Sequence, residues 1–346
     1  MEIIYYITIM KVGITGAAGG IGSFLADALY NKNIETVLID DLSSGSLTNF
    51  NVKSNAESLR IVNVNDEDKI SQLLKDCDVI IHLAAISSLA SCQRNPTLAF
   101  HNNLQTTTII GKLSIRYGIK IIFASTSAVY ENSNSFPHHE DDYFEPPTLI
   151  YPQTKFYSEL FLQGLGVSNS IHYTNLRLFN VFGTRQDFRR KFPPLVNYII
   201  KKIFLKEDII IYANMDTCRD YISMNDLIAL FEILISDTQI SNKETFNVCS
   251  GREISIRDII FAIEKGLNLS IPVIQGSASS LWEKESDLFE GFHPLKETIV
   301  QKETLKKSIG SPSKLKKHVG FSFETNVLDE IEESAPYILN LIKNYY

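Results

Sequence analysis

Short runs rich in Val and Ile alternate with helix-forming segments over the first 180 residues, and this alternation most constrains the fold. The runs are continuously apolar, which is typical of parallel strands covered on both faces. Alternation of strands with helices predicts right-handed crossovers and a doubly wound parallel α/β sheet. The predicted strands are 11–15, 35–40, 59–64, 78–84, 120–126 and 171–179. The predicted helices between them are 20–31, 67–76, 96–117 and 151–164.

A glycine-rich turn follows the first strand and begins the first helix. Gly16, Gly19 and Gly22 are spaced three residues apart. Their missing side chains permit a tight turn and let the backbone approach a diphosphate, which the free N–H groups of a helix N-terminus attract. Asp40 ends the second strand. A carboxylate there accepts hydrogen bonds from the adenosine ribose of NAD and repels the 2′-phosphate of NADP, so we predict a Rossmann-like NAD site.

The pattern changes after about residue 186, where helices dominate and strands are scattered. Predicted helices there are 194–205, 224–236, 256–265 and 325–343. We therefore predict an NAD-binding Rossmann domain at 10–186, with later strands returning from about 210–250, and a smaller, partly helical substrate-binding lobe at 187–346.

Charge and cysteine content exclude several functional classes. The net charge of the 346 residues is -7, whereas nucleic-acid binding usually requires a basic surface. The four cysteines form no C-x-x-C pair, which favours a cytoplasmic protein without disulfides or a metal site. No apolar run approaches the ~20 residues of a membrane helix, so no membrane partner is predicted. Residues 1–9 are interpreted as either an upstream start or a lengthened first strand.

Tyr151 and Lys155 form a Tyr-x-x-x-Lys pair on a predicted helix, and this spacing places both side chains on one face. A free tyrosine has a pKa near 10. A nearby ammonium stabilises the phenolate, so we expect the pKa of Tyr151 to be about 7, which suits proton transfer. Thr126 ends the preceding strand and can hydrogen-bond the substrate oxygen. The alternatives are that Tyr151 and Lys155 lie on a solvated helix face and that Thr126 belongs to an ordinary turn.

The chain resembles the extended short-chain dehydrogenase/reductase family, in its NAD-dependent nucleotide-sugar epimerase/dehydratase branch, which includes UDP-glucose 4-epimerases. Nine motifs occur in the order in which the family carries them. They are TGAAGGIG (15–22), LIDDLSSG (38–45), HLAA (82–85), NNLQTT (102–107), FASTSAVY (123–130), YPQTK followed by Glu159, LRLFNVFGTRQ (176–186), CRDYISMNDL (218–227) and FNVCSG (246–251). The resemblance is much weaker beyond residue 260.

The resemblance implies a role for each matching position. Tyr151 would be the acid/base, Lys155 would tune it, and Thr126 would be the partner hydroxyl. The implied cofactor contacts are Gly16, Gly19, Gly20, Ile21, Asp40, Asp41, Leu42, Ser43, Asn63, Val64, Leu83, Ala84, Ala85, Ser87, Asn102 (or its neighbour Asn103), Tyr151, Lys155 and Phe179. The implied substrate contacts are Ser87, Thr126, Tyr151, Asn180 and Arg219, with the last two at the diphosphate of a sugar nucleotide.

Three positions differ from the family pattern or from some of its members, the first at the adenine of the cofactor and the other two at the substrate. Asn63 stands where the family usually has Asp. Residues 301–304 lack the arginine that the family uses as a second diphosphate contact, and Lys302, Lys306 and Lys307 are its candidate replacements. Ser308 falls at a position that is bulky in enzymes restricted to plain hexoses, so we expect room for an N-acetyl group.

The favoured function is a nucleotide-sugar 4-epimerase that acts through a transient 4-keto sugar. A dehydratase, a C4 dehydrogenase or a ketosugar reductase on the same scaffold is the alternative. Dehydratases of the family place an Asp-Glu pair after the threonine and decarboxylases a Glu two positions after it, whereas this chain has Ser127 and Ala128, although a carboxylate from 140–145 could substitute. A non-catalytic NAD-binding regulator is the alternative of another class, and the intact Thr126, Tyr151 and Lys155 argue against it.

Two further expectations concern the surface. Arg189-Arg190-Lys191 is interpreted as a solvated charge run, with a contact to the diphosphate as the alternative. The resemblance implies a homodimer formed by the helix at 96–117 and the Tyr-x-x-x-Lys helix. Between 98 and 115 the chain has more apolar positions than a single core face requires, namely Leu98, Phe100, Leu104, Ile109, Ile110 and Leu113.

Overall fold

The computed structural model describes residues 10–191, 193–237, 239–284 and 295–346. Residues 1–9, and with them the question of the chain's start, lie outside this range. Strands of the described residues are β1 (Lys11–Thr15), β2 (Glu35–Asp40), β3 (Arg60–Ile61), β4 (Val79–His82), β5 (Lys120–Thr126), β6 (Tyr173–Leu178), β7 (Asn180–Phe182), β8 (Ile209–Ile211), β9 (Cys218–Arg219), β10 (Tyr221–Ser223), β11 (Glu244–Val248), β12 (Ile254–Ser255) and β13 (Val273–Gln275).

The helices of the described residues include all eight that periodicity predicted, with 96–117 divided in two, and also five short helices at 53–58, 89–94, 278–284, 297–305 and 313–319 that were not predicted. They are α1 (Gly20–Asn31), α2 (Lys53–Ser58), α3 (Glu67–Leu74), α4 (Leu89–Arg94), α5 (Pro96–Phe100), α6 (Thr106–Tyr117), α7 (Ile150–Ser168), α8 (Leu195–Leu205), α9 (Met224–Ser236), α10 (Ile256–Leu267), α11 (Ala278–Lys284), α12 (Glu297–Leu305), α13 (Ser313–Val319) and α14 (Val327–Tyr345).

Seven strands form one sheet in the order β11–β6–β5–β4–β1–β2–β3, and every neighbouring pair is parallel. The predicted doubly wound, Rossmann-like sheet is therefore confirmed. The chain order reverses between β1 and β4, so the loops that follow these two strands diverge and leave a crevice at their carboxyl ends. Gly16 and Leu83 begin those two loops.

Alternate residues of the central strands pack into two layers, one on each face of the sheet. Ile81 and Ile122 are fully buried in the cluster beneath α1 and α9. Ile80 and Ile121 are fully buried in the cluster beneath α3, α6 and α7. Burial of each such side chain contributes about 1.5–3 kcal/mol, which explains why these strands are apolar on both faces.

A third apolar cluster lies between α8, α10 and α14, outside the two layers of the sheet. Between α8 and α10 the chain returns to the sheet, because α9 packs on α1 and β11 pairs with β6. The described residues thus include a helical lobe and, between its helices α8 and α10, a strand that rejoins the sheet. The division of the chain at residue 186 stays a prediction.

Strand β3 is shorter than the predicted strand at 59–64. The N–H of Val62 still donates to the Asp40 carbonyl at 3.0 Å, but the side-chain oxygen of Asn63 then accepts the N–H of Asn65 at 2.9 Å. This local hydrogen bond closes a turn and ends the strand, as Asn side chains often do.

The predicted helix at 96–117 contains a π-helical turn, His101–Gln105, between α5 and α6. Thr106 and Thr107 donate their hydroxyls to the carbonyls of Asn102 and Asn103 at 2.8 and 2.9 Å. Such back-bonding bends helices, and π-turns are frequent at functional sites. The extra residue in this turn turns Asn102 and Asn103 toward the sheet edge described below.

Candidate active site

Two adjoining cavities lie at the carboxyl edge of the sheet. The first, called the cleft, has a volume of about 370 Å³ and crosses the ends of β2, β1, β4 and β5. The second, called the pocket, has a volume of about 540 Å³ and reaches toward Arg219. Both are lined by Ser87, Thr126, Tyr151 and Phe179, so these residues lie where the cavities meet.

The glycine turn forms the floor of the cleft, and side chains would not fit there. Gly16 has a φ of +74°, and a Cβ on it would lie 2.8 Å from the Ala84 nitrogen. A Cβ on Gly22 would lie 2.2 Å from the Gly16 carbonyl oxygen. Among the described residues, no side chain caps the N-terminus of α1. Backbone N–H groups and an open cradle therefore face the cleft, which fits a diphosphate.

Asp40 lies at the end of β2, where the adenosine ribose is expected. Its carboxylate accepts the N–H of Ala18 at 3.0 Å and that of Leu42 at 2.8 Å, and burial raises its pKa. Asn63 donates to the neighbouring Asp41 carboxylate at 2.7 Å. Every predicted cofactor residue lines the cleft except Leu42, which contributes its backbone N–H to Asp40 instead.

The loop after β4 is held by Asn103. Its side-chain oxygen accepts the N–H of Ile86 at 2.7 Å, and its amide donates to the Ile86 carbonyl and to the Thr154 hydroxyl at 3.1 and 3.0 Å. Asn102 lines the cleft itself. Of the two asparagines expected to order the site, Asn103 therefore fixes the loop and Asn102 faces the cleft.

Tyr151, Thr126 and Lys155 converge at the junction of the two cavities. Tyr151 lies in the first turn of α7, and its hydroxyl is hydrogen-bonded to Thr126, the last residue of β5. Lys155 donates its ammonium to the Ala124 carbonyl at 2.7 Å. The start of α7 is fixed in turn by Glu131, whose carboxylate accepts the N–H of Leu149 at 2.9 Å.

The electrostatics of Tyr151 differ from the sequence-based expectation. Burial raises the pKa of Tyr151 to about 12, although the hydrogen bond from Thr126 and the charge of Arg190 act in the opposite direction. Burial also lowers the pKa of Lys155 to about 8. The expected pKa of about 7 for Tyr151 is wrong, because desolvation outweighs the nearby cations and the Lys155 ammonium is engaged with the Ala124 carbonyl.

A buried charge network supports this junction from below. Ser125 donates to the Glu159 carboxylate, which also forms a 2.8 Å ion pair with Arg177. Arg177 donates to the Tyr130 hydroxyl at 2.8 Å as well. These residues connect β5, β6 and α7, so the network fixes the strand end that carries Thr126 relative to the helix that carries Tyr151.

The three lysines considered as replacements for the missing arginine differ in their position relative to the pocket. Lys306 lines the pocket together with the predicted substrate residues Asn180 and Arg219. Lys302 instead donates to Asn132 at 2.9 Å, and Lys307 pairs with a carboxylate, that of Glu253, at 2.6 Å. Of the three candidates, only Lys306 lies in the pocket as the described residues define it.

Ser308 lines the pocket and is 5% exposed, as the sequence register predicted. Its carbonyl accepts the N–H of Asp220 at 2.9 Å, which places the segment beside the residue that follows Arg219. Tyr212 also lines the pocket.

Sequence reasoning missed one wall of the cleft, which consists of Arg185, Gln186, Asp187 and Arg190. Arg185 and Gln186 end the motif at 176–186, and Asp187 and Arg190 follow it. Their position next to this motif was the sequence signal that could have identified them. The interpretation of Arg189-Arg190-Lys191 as a solvated charge run is wrong for Arg189 and Arg190. Arg189 donates to the Ser44 carbonyl at 2.9 Å and Arg190 to the Ser87 hydroxyl at 3.2 Å.

Comparison with known proteins agrees with this site. Residues 12–249 match the NAD dependent epimerase/dehydratase family. The chain is 25% identical to the UDP-glucose 4-epimerase of Bacillus subtilis over 285 residues, which cover 76% of this chain and 84% of that protein. It is 26% identical to UDP-glucuronic acid decarboxylase 1 of Danio rerio over 222 residues, or 63% of this chain and 52% of that protein.

A solved structure is similar over nearly the whole chain. It is a UDP-N-acetylglucosamine 4-epimerase from Methanobrevibacter ruminantium in complex with UDP-N-acetylmuramic acid. The identity is 27% and the TM-score 0.81, over 96% of this chain and 99% of that chain. No helix of the described residues is long and apolar enough to cross a membrane.

The chain belongs to the NAD-dependent epimerase/dehydratase family, an extended short-chain dehydrogenase/reductase group that is similar to UDP-glucose 4-epimerases. Its cofactor is NAD. The carboxylate of Asp40, the glycine cradle and the junction at Tyr151 fit this cofactor, because they lie in this order from one side of the cleft to the other.

Proposed function

We propose that this protein is a nucleotide-sugar 4-epimerase. One observation carries the proposal: the described residues that line the pocket include Tyr151, Thr126, Arg219 and Lys306 but no Asp or Glu. Oxidation and reduction at C4 require one acid/base, which Tyr151 provides. Elimination or decarboxylation requires further acid/base groups, and carboxylates supply them in the relatives that perform these reactions.

Tyr151 acts as the acid/base at the sugar C4 hydroxyl. Bound NAD supplies reversible acceptance of a hydride from C4. Tyr151 removes the hydroxyl proton, which yields a 4-keto sugar, and returns the proton when C4 is reduced from its other face. Thr126, hydrogen-bonded to Tyr151, orients the same oxygen. A positioned acid/base of this kind contributes about 10²–10⁴ in rate.

Arg219 and Lys306 hold the diphosphate of the sugar nucleotide. Both line the pocket with Asn180, and two cations there match a doubly charged group. Arg219 can bind phosphate oxygens with two parallel donors, whereas Lys306 acts as a point charge. This pair supports a nucleotide-diphosphate sugar as the substrate, and in it Lys306 takes the place of the second arginine that the family resemblance implies.

The carboxylates near the pocket are engaged elsewhere. Glu140 lies between β5 and α7 in the sequence, and its Oε1 accepts the N–H of Asn247 at 2.7 Å. Glu145 accepts the exposed Tyr143 hydroxyl at 2.9 Å. Neither belongs to the described pocket lining, so the substitute carboxylate considered for 140–145 has no support. Ser127 and Ala128, which do line the pocket, are poor proton donors.

The test is incubation with a panel of sugar nucleotides in D₂O, read by NMR and mass spectrometry. We expect a product of unchanged mass that is inverted at C4, with no deuterium at C5. A product lighter by one water with deuterium at C5 would identify a dehydratase, and loss of CO₂ a decarboxylase. No turnover with any sugar nucleotide would favour a regulatory NAD-binding protein.

The sugar is proposed to carry a 2-acetamido group. Ser308 is small and buried in the pocket wall, which leaves space that a bulky side chain would fill. The measurement is kcat/KM for N-acetylated and plain hexose nucleotides, and an equal or higher value for the plain hexose would contradict this proposal.

A further inference from the structure

A short strap, residues 187–190, crosses the cleft and is held by two arginines. The Asp187 carboxylate accepts from Arg189 Nε at 2.7 Å and from Arg190 Nε at 3.4 Å. Arg189 then reaches the Ser44 carbonyl, and Arg190 reaches the Ser87 hydroxyl. Ser44 follows β2 and Ser87 follows β4, so the strap bridges loops on both sides of the glycine turn.

The strap carries an excess positive charge. Two guanidinium groups share the single carboxylate of Asp187, which leaves a net charge of +1. Lys201 adds a further cation, since its ammonium donates to the Arg190 carbonyl at 3.1 Å. Arg185, the other arginine of this wall, is instead neutralised by a buried ion pair with Asp27 at 2.8 Å.

The two strap arginines differ in what they face. Arg190 lines the cleft, whereas Arg189 does not belong to the described lining. Arg190 is also close enough to Tyr151 for its charge to lower the pKa of that phenol. Gln186, the residue before the strap, lies close to the diphosphate turn. Its Cα is 4.0 Å from a Cβ built on Gly20. Arg190 therefore lies on the Tyr151 side of the diphosphate cradle.

We propose that Arg190 binds the phosphate on the nicotinamide side of NAD and holds the cofactor beneath the strap. A guanidinium is planar and always charged, and it binds phosphate oxygens through paired donors. Asp187 and Ser87 orient this group without neutralising the strap. The proposal rests on the NAD cofactor of the family and not on the 4-epimerase reaction, so failure of the latter leaves it intact.

The test compares Arg190→Gln with Arg189→Gln. Both variants remove a guanidinium that is bonded to Asp187, but Arg189 lies outside the described lining of the cleft. Dissociation constants of NAD⁺, ADP-ribose and AMP are measured by calorimetry on full-length protein freed of bound nucleotide, and the NAD(H) retained after purification is quantified. A hydrogen bond to a charged group supports a loss of about 10-fold to 100-fold in affinity.

We expect Arg190→Gln to weaken NAD⁺ and ADP-ribose binding by that factor and AMP binding by less than about 3-fold, because AMP lacks the second phosphate. Arg189→Gln, which loosens the strap at Ser44 but removes no cation from the cleft lining, should weaken NAD⁺ and ADP-ribose binding less than Arg190→Gln does. Arg190→Lys, which keeps the charge but not the fork, should lie between. Unchanged NAD⁺ affinity in Arg190→Gln, or an equal loss for AMP, would overturn the assignment.

Discussion

At the scale of single residues, the pKa of Tyr151 is too high for a base at neutral pH. Its pKa of about 12 keeps the phenol protonated at neutral pH, whereas a base must lose that proton. The charge of Arg190 acts against the effect of burial, whereas the Lys155 ammonium donates to the Ala124 carbonyl. The Thr126 hydroxyl acts in the same direction as Arg190, so these two neighbours are the ones that lower the pKa of Tyr151.

Replacing Tyr151 by Phe should lower kcat by about 10²–10⁴ and leave NAD bound, because the variant removes the proton-transferring oxygen and nothing else. Tyr157→Phe is the matched control, since it makes the same change on the same helix at a side chain that is 39% exposed. Steady-state kinetics and retained NAD(H) are measured for both. Activity of Tyr151→Phe within a few-fold of the wild type would exclude it as the acid/base.

His82 is a second buried group beside the site. It shares a 2.7 Å hydrogen bond with Thr15 and a 3.4 Å bond with Thr106, so it links β1, β4 and α6. Burial, with a smaller effect of the Lys155 charge, lowers the pKa of His82 to about 3. The folded protein therefore keeps this imidazole neutral at pH values where the unfolded chain protonates it.

We expect His82 to make folding stability depend on acid. Between pH 6.5 and about 3 the unfolded chain binds one more proton than the native state, so stability is fully present above pH 6.5 and falls by up to about 1.4 kcal/mol per pH unit below it. His82→Asn, which can keep the Thr15 bond, should show a flatter dependence of the urea midpoint on pH. The exposed His101→Asn is the control, and equal slopes in both variants would refute the role of His82.

At the scale of elements, the turn between β1 and α1 depends on glycine. A Cβ on Gly22 would lie 2.2 Å from the Gly16 carbonyl oxygen, so Gly22→Ala must displace the diphosphate cradle. We expect a loss of about 1–3 kcal/mol in stability and of most NAD affinity. Gly164→Ala is the control, because in the described part of the chain a Cβ on this residue of α7 would meet no atom within 4 Å beyond its chain neighbours and its own helix backbone. It should stabilise the protein by about 0.5–1 kcal/mol, as measured by urea unfolding.

The same scale shows where sequence patterns were sufficient. Continuous apolar runs and helical periodicity located β5 and α7, and the motifs placed Thr126 and Tyr151 on them. The π-turn at His101–Gln105 was not predictable, since apolar periodicity does not distinguish it from a regular helix, and the Thr106 hydroxyl bond that accompanies it has no pattern of its own. The pKa of Tyr151 was also beyond the sequence, because it depends on burial by parts of the chain far from the motif.

At the scale of the whole molecule, the cavities combine residues that are distant in sequence. Arg190 reaches a loop residue 103 positions before it, and Lys302 one 170 positions before it. Neither contact has a signal in the nearby sequence. The sequence therefore could not show that the arginines at 189–190 contact the cleft loops, nor which of the three lysines lies in the pocket. Local sequence patterns determine the helices and strands, whereas these contacts depend on how the helices and strands pack together.

The last prediction concerns assembly, and it begins from which apolar side chains the core leaves uncovered. Ile109, Ile110 and Leu113 of α6 are buried within the chain, so they are not available to a partner. Leu160 is 45% exposed on α7, three residues after the exposed Tyr157. The Phe100 ring of α5 lies 6.5 Å from that of Tyr157, so α5 and α7 present one apolar surface. We expect this surface to form a homodimer.

Leu160→Arg should convert the dimer to a monomer in light scattering at micromolar concentration, because a charge without a partner is costly inside an apolar interface. The exposed position makes loss of the fold itself unexpected, since surface substitutions usually change stability by less than about 0.5 kcal/mol. Phe261→Arg on α10 is the control, as its side chain is 59% exposed on a different helix. A wild-type monomer would refute the dimer, whereas a dimer that persists in Leu160→Arg and dissociates in Phe261→Arg would move the interface from α7 to α10.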